Sequence, residues 1–167
     1  SYPMDVLCFD EVQEMSIAAI EKAMERMSAS RAKFTLMGST ANYPEGDIDY
    51  FYRKGTRHRF HTRCPTCGVE EPLDEYFPAC IGYDPTVDDA KTGVKGDWRY
   101  RCRAGHWIDN PQAGDWKPTN PQADQNITSF HFHQMLSPTV TPGEMYFAYL
   151  NAHDIKNFYN RKLGKPY

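Results

Sequence analysis

Val6-Leu7-Cys8-Phe9-Asp10-Glu11 is the stretch on which the reading of this chain turns. An apolar run ends in two adjacent carboxylates, and a helical pattern follows. A buried strand of a parallel α/β sheet reads this way, and ligands bind at the carboxyl ends of such strands. There Asp10 can hold a Mg²⁺, directly or through water. Glu11 can orient and deprotonate an attacking water. Together they suit the acidic half of a nucleoside triphosphate site. The same residues also read as a strand that merely ends in solvated acids, so the neighbouring chain has to decide.

Working outward, Val12, Met15, Ala19, Ile20, Ala23, Met24 and Met27 recur at three- and four-residue spacing. That predicts an amphipathic helix from about Ser16 to Ala29, with Glu21, Lys22, Glu25 and Arg26 on its other face. The methionine stripe reads as plain core. Lys33 to Met37 then predicts a second short buried strand, ending in Gly38-Ser39-Thr40-Ala41-Asn42. Strand, helix and strand within some forty residues make one βαβ unit, whose crossover brings both strand ends to the same sheet edge. Ser39 and Thr40 then lie near Asp10 and Glu11, where small hydroxyls can sense a γ-phosphate. An ordinary turn is the alternative, because Gly, Ser and Asn favour turns by themselves.

Pro44 to Gly55 predicts a short helix with Ile48, Phe51 and Tyr52 as its apolar side. Arg53, Lys54, Arg57, Arg59 and Arg63 follow with His58, Phe60 and His61 among them. Such a cluster can contact phosphates, and Arg57 or Arg59 can serve as an arginine finger or a DNA contact. The alternative is a solvated strand edge guarded by charge.

Cys64-Pro65-Thr66-Cys67-Gly68 places two thiols at knuckle spacing, and Cys102-Arg103-Ala104-Gly105-His106 offers a thiol and an imidazole. Cys64, Cys67, Cys102 and His106 make a Cys₃His set suited to structural Zn²⁺, with no position left open for catalysis. Cys80 is a substitute ligand without a partner at knuckle spacing. Asp84 to Asp97, rich in Asp and Gly, reads as a mobile excursion, and Trp98 to Arg101 resumes an extended pattern. Asp109 to Gln125 reads as a surface connection around Trp116. Asn126 to His133 predicts a strand, on which His131 and His133 read as polar residues rather than ligands. Thr141-Pro142-Gly143-Glu144 has the form of a capping box with proline at the first helical position. A last helical segment runs from Asp154 to Leu163 and is stopped by Gly164 and Pro166.

The bulk numbers set outer bounds. A chain of 167 residues holds one ordinary core with room for a small satellite module. With 19 basic and 22 acidic residues, no chain-wide nucleic-acid footprint exists, although a local one can. No run of apolar residues reaches membrane-spanning length, and no secretory leader pattern opens the sequence. The odd count of five cysteines, spaced for metal, points to a reducing, intracellular setting.

Taken in order, these features resemble the large terminase subunit of tailed bacteriophages, of the lambda-like branch. They are the Asp-Glu strand, the Ser-Thr-Ala strand end, the Arg-rich stretch, Cys-Pro-x-Cys-Gly, the second Cys-containing half and Asn-Phe-Tyr-Asn-Arg-Lys-Leu-Gly-Lys-Pro. The resemblance implies that Val6 to Glu11 is a Walker B segment, Asp10 its Mg²⁺-associated acid and Glu11 its catalytic carboxylate. Ser39 and Thr40 become coupling residues. It further implies a DNA-packaging motor ATPase that uses ATP and Mg²⁺ in the host cell cytoplasm. The implied partners are double-stranded DNA, the remainder of the large subunit, the small terminase subunit, the portal protein and further copies of itself, with no membrane.

No Gly-x-x-x-x-Gly-Lys-Ser/Thr occurs in the sequence, so no phosphate-binding loop is present. Nuclease carboxylates are also missing. The expectation is therefore a fragment, inactive alone: the second half of an ATPase domain with its zinc-bearing linker, whether a truncated product or a split gene. The fold expected is α/β, a partial P-loop-type parallel sheet with an inserted zinc ribbon and a C-terminal helical segment. The division expected is 1–57 for the ATPase half, 58–110 for the zinc ribbon and 111–167 for the linker strand and helices. A helicase-type ATPase fragment and a zinc-ribbon adaptor for nucleic acid or protein are the alternatives.

Overall fold

The computed structural model describes residues 4–167. Strand β1 (Val6–Phe9), helix α1 (Ile17–Met24) and strand β2 (Phe34–Met37) follow in the expected order. The strands pair in parallel, Val6 opposite Phe34 and Phe9 opposite Met37. Ser16 caps α1 by accepting from the Ala19 amide, and the helix tightens into a 3-10 turn at Glu25–Met27. The face carrying Leu7, Phe9, Thr35 and Met37 is half-buried, with Met27 Sδ 4.0 Å from Thr35 Oγ1. The opposite face carries Val6, Cys8, Phe34 and Leu36 and is open, contrary to the expectation of fully buried strands. Among the described residues no layer packs on that face, and the sheet holds two strands only. The structure is thus mixed α/β with a parallel strand pair joined through a helix.

Helix α2 (Asp47–Lys54) leads into β3 (His58–Arg63), the centre of a second sheet. Antiparallel β4 (Glu70–Glu71) and β8 (Gly114–Lys117) flank β3, and β9 (Phe130–His131) joins in parallel. Trp116, expected in a surface connection, is therefore a strand residue opposite Phe60, and their rings meet edge to face at 5.3 Å.

A third sheet holds β5 (Ile81–Asp88), β6 (Lys95–Arg101) and β7 (Trp107–Ile108). The expected mobile excursion is a hairpin: Asp84 stands opposite Asp97, and the turn closes with the Asp89 amide donating to Val94 O at 2.8 Å. Its polar strand residues gain local partners, since Asp84 accepts from Arg99 Nη1 at 2.7 Å and from the Thr86 amide at 2.9 Å.

Thr141 forms the expected capping box at the start of α3 (Pro142–Leu150), with Pro142 at its first turn. Helix α3 lies on the hairpin, where Tyr146 stacks on Trp98 at 4.4 Å. Asp154 caps α4 (Ile155–Lys162), and Phe158 packs against Phe77 and Tyr149. Cys64, Leu73, Phe77, Cys80, Ile81, Tyr100, Cys102 and Ile108 share one core with Met135, Met145, Phe158 and Leu163. This core crosses the division drawn at residue 110: the knuckle strands and the C-terminal helices bury each other's apolar faces.

Candidate functional site: an acidic cleft and a Cys3His cluster

The turn after β1 carries Asp10 and Glu11, both exposed. Asp10 Oδ1 accepts from the Glu11 amide at 2.9 Å, and Glu11 adopts a left-handed backbone with φ 54°. That conformation is uncommon for a residue with a side chain and clusters at functional turns. The turn after β2 closes on the same place. The Gly38 amide donates to Phe9 O at 2.9 Å and the Gln13 amide to Ser39 Oγ at 3.0 Å. Gln13 joins the two turns, because its side-chain amide donates to Glu11 and accepts from the Ser39 hydroxyl. Sequence reasoning brought Ser39 toward Glu11 but missed Gln13, which stands two residues past the acids with no motif to mark it.

Asp10, Glu11, Ser39 and Thr40 line one wall of an open cleft of about 480 Å³; His133, Asn160 and Arg161 line the other. This volume lies within the range of small-molecule sites. Exposed carboxylates beside hydroxyls make an oxygen-donor set suited to Mg²⁺.

The arginines of the basic stretch are largely engaged by partners within the chain. Arg59 pairs with Asp74 and Glu75, and Arg63 pairs with Glu70. Arg53 pairs with Asp49 and Glu45. Arg57 donates to Arg53 O from Nε at 2.9 Å and Nη2 at 2.7 Å, closing the end of α2. The side chain of Arg59 is 18% exposed, so the residue expected as a free cation is an internal one. Its partners, fifteen and sixteen positions ahead, gave no local signal.

Asp74 is the hub of that interior. Besides Arg59 it faces Lys165 Nζ at 3.0 Å, His133 Nε2 at 3.6 Å and His131 Nδ1 at 3.9 Å. Burial alone raises the Asp74 carboxyl, but His133, Arg59, His131 and Lys165 hold it below its ordinary value. Burial pushes both imidazoles down, His133 to about 4. Both are therefore neutral at pH 7, and the permanent cations Arg59 and Lys165 balance Asp74.

Cys64, Cys67, Cys102 and His106 offer one ligand atom each, all within 4.8 Å of one another. Cys67 Sγ lies 3.9 Å from Cys102 Sγ, and Cys102 Sγ lies 3.6 Å from His106 Nδ1. Tetrahedral Zn²⁺ with bonds of about 2.3 Å to sulfur spaces its sulfurs about 3.8 Å apart, so the set fits that ion. The two loops share a construction. The Gly68 amide donates to Cys64 O at 2.9 Å and the Gly105 amide to Cys102 O at 2.8 Å. Both glycines have the positive φ that such tight turns demand, 71° and 85°.

Burial opposes the Cys64 thiolate, but amides of Cys67 and Thr66 and the neighbouring thiols bring its pKa down to about 7. At Cys67 the Val69 amide favours the thiolate, yet desolvation and the thiols of Cys64 and Cys102 outweigh it and the pKa rises. Cys80 lies apart in the core, its Sγ 3.9 Å from Met135 Sδ and its pKa pushed up to about 12 by burial. Of the two candidates for the fourth ligand, His106 is the one in the cluster.

Paired acids beyond a parallel strand pair, a hydroxyl-bearing second turn and a Cys₃His cluster able to hold a metal ion are thus set in a mixed α/β protein. The family model described as phage terminase large subunit gpA, ATPase domain, matches residues 1–106, and the chain belongs to this family. Neither a curated protein nor a solved structure gives a match. Membership supports a DNA-packaging ATPase role, with ATP and Mg²⁺ as the cofactors it implies and DNA and other packaging-motor components as the partners it suggests. Among the described residues no helix is long and apolar enough to cross a membrane.

Proposed function

We propose that this chain supplies the Walker B and coupling residues of a phage DNA-packaging motor ATPase. Asp10 helps hold Mg²⁺, and Glu11 takes the proton of the attacking water. Ser39 and Thr40 link the state of the nucleotide to the chain beyond β2. A Mg²⁺ held there by Asp10 would supply charge neutralisation to the phosphate oxygens. One observation carries the reading: within the family match, Gln13 ties Glu11 to Ser39 where both parallel strands end. Loss of a γ-phosphate beside Glu11 would thus be felt at the coupling turn through one side chain.

The sequence has no phosphate-binding loop, so that part of the site comes from outside these 167 residues. The isolated polypeptide is then expected to be inactive, and its motifs resemble the lambda-like branch. Cys64, Cys67, Cys102 and His106 hold a structural Zn²⁺ that braces the segment joining the acids to the C-terminal helices. Arg57 is the better of the two arginine candidates for a contact with DNA or with a neighbouring subunit's nucleotide, because Arg59 is held by two carboxylates. The setting is the host cytoplasm, with the small terminase subunit, the portal protein and further copies of the motor as partners.

The test is ATP turnover by the assembled packaging ATPase. Glu11→Gln is expected to lower kcat by about 10³-fold or more, on the scale of losing a proton acceptor and the orientation of water. Turnover unchanged in Glu11→Gln sinks the reading.

A further inference from the structure

One face of the second sheet is built of aromatic rings. His58 and Phe60 alternate along β3, Trp116 of β8 stands opposite Phe60, and Phe130 of β9 stands opposite His58. Phe130 stacks on His58 at 4.7 Å and meets Trp116 edge to face at 5.3 Å. Trp116 in turn touches Phe60 at 5.3 Å and Phe132 at 4.8 Å. Each ring is held by its neighbours and so has little rotamer freedom to lose on binding. None of the five belongs to the core that joins the knuckle strands to the C-terminal helices, and Phe132 is 66% exposed and Phe130 44%. Contiguous exposed apolar surface of this kind marks a binding face.

Charge around the rings points to the occupant. The one carboxylate of β3, β8 and β9, Asp115, stands opposite His61 and therefore on the other face. Two arginines bracket the rings. Arg57 directly precedes His58, and Arg161 lines the acidic cleft together with Phe132. Among the described residues neither has a carboxylate at ion-pair distance, unlike Arg53, Arg59, Arg63, Arg99 and Arg103. Rings between cations free of carboxylates suit a polyanion that carries flat, uncovered π-faces. An unpaired nucleic-acid strand is such a molecule: its bases stack on aromatic side chains and its phosphates meet the guanidiniums. A duplex keeps its base faces inside its own stack and offers mainly phosphates to a surface of this kind.

We propose that His58, Phe60, Trp116, Phe130 and Phe132 form a stacking platform for single-stranded DNA, with Arg57 and Arg161 on its phosphates. DNA is the nucleic acid that membership of the family suggests as a partner. The platform stands whether or not Asp10 and Glu11 serve ATP hydrolysis. It gives the chain a hold on separated strands that contacts to duplex phosphates do not provide.

The experiment titrates the full 167-residue chain into a labelled oligothymidylate of about 12 nucleotides and into a labelled hairpin duplex, read by fluorescence anisotropy. Phe132→Ala and Phe130→Ala are each expected to weaken strand binding about 5- to 100-fold, the loss of one stacked base, and to leave duplex binding unchanged. Arg161→Gln is expected to weaken strand binding and to reduce its salt slope by about 0.7, the loss of one phosphate contact. If Phe132→Ala binds the strand like wild type, or loses strand and duplex alike, the rings do not stack on bases and the proposal falls. If Phe132→Ala keeps the strand but loses another protein of the packaging motor, the face is a protein interface and the proposal falls as well. Phe132 is the most exposed of the five rings, so its variant decides the matter even if Phe130→Ala does not fold.

Discussion

The β1–α1–β2 unit buries Val12, Ile20, Met27 and Ala41 and leaves Val6, Phe34 and Leu36 more than half exposed. From Cys64 to Leu163, by contrast, one continuous apolar core joins the knuckle strands to the C-terminal helices. The acids therefore stand on a thin scaffold held by few contacts. The facing wall, with Asn160 and Arg161, stands on α4, which Phe158 and Leu163 anchor in that core. Segments that move in function come from the less stable end of a structure. If the proposed ATPase cycle moves one side of the cleft, this difference favours the turns after β1 and β2 over the wall opposite.

The largest effect that can break this contrast is removal of the Zn²⁺ proposed for the Cys₃His cluster. Zinc-finger peptides gain about 10–16 kcal/mol from their ion, so chelation or Cys102→Ser is expected to unfold the segment around the knuckles. Hydrogen exchange followed by mass spectrometry should show β3 to β7 losing protection far more than β1 and β2. Unchanged protection in β3 to β7 would remove the metal from the account.

Core truncation comes next. Leu73→Ala, fully buried, is expected to cost about 2–5 kcal/mol in denaturant unfolding, whereas Leu7→Ala on the half-buried sheet face should cost about 1 kcal/mol or less. Equal costs would erase the difference between the regions.

Acid acts in the same direction. His133 falls to about 4 on folding, so the unfolded chain binds more protons than the native one between pH 6.5 and 4. Stability is full above that window and declines by about 3 kcal/mol as pH falls through it. His131, also lowered, adds to the loss, and Asp74, lowered as well, extends it below the ordinary carboxylate range. Unfolding followed from pH 7 to pH 4 checks the sign, and His133→Gln should flatten the slope. The smallest effect belongs to the cap: Thr141→Ala should cost about 1 kcal/mol, read as a lower Tm.

The features legible in the sequence were those carried by local pattern. The β1–α1–β2 order, the Thr141 capping box and the knuckle spacing rest on residues within a few positions of each other. The hairpin from Ile81 to Arg101 was hidden because Asp84-Pro85-Thr86-Val87-Asp88-Asp89 lacks strand character, and pairing with β6 together with the Arg99 contact supplies the order. Arg59 read as free because Asp74 looks like any acid until folding brings the two together. The second wall was least visible of all: Asn160 reaches the cleft through a contact with Asn42, 118 positions away. Periodicity says nothing about meetings over such distances.

The open face of the β1–β2 pair has a practical consequence. Val6, Phe34 and Leu36 present adjoining apolar surface around the exposed thiol of Cys8, on a sheet that has two strands among the described residues. Such a surface adheres to others of its kind. Solutions of this polypeptide should therefore self-associate more as protein and salt concentrations rise, and Cys8 should cross-link the associated chains when reductant is withheld.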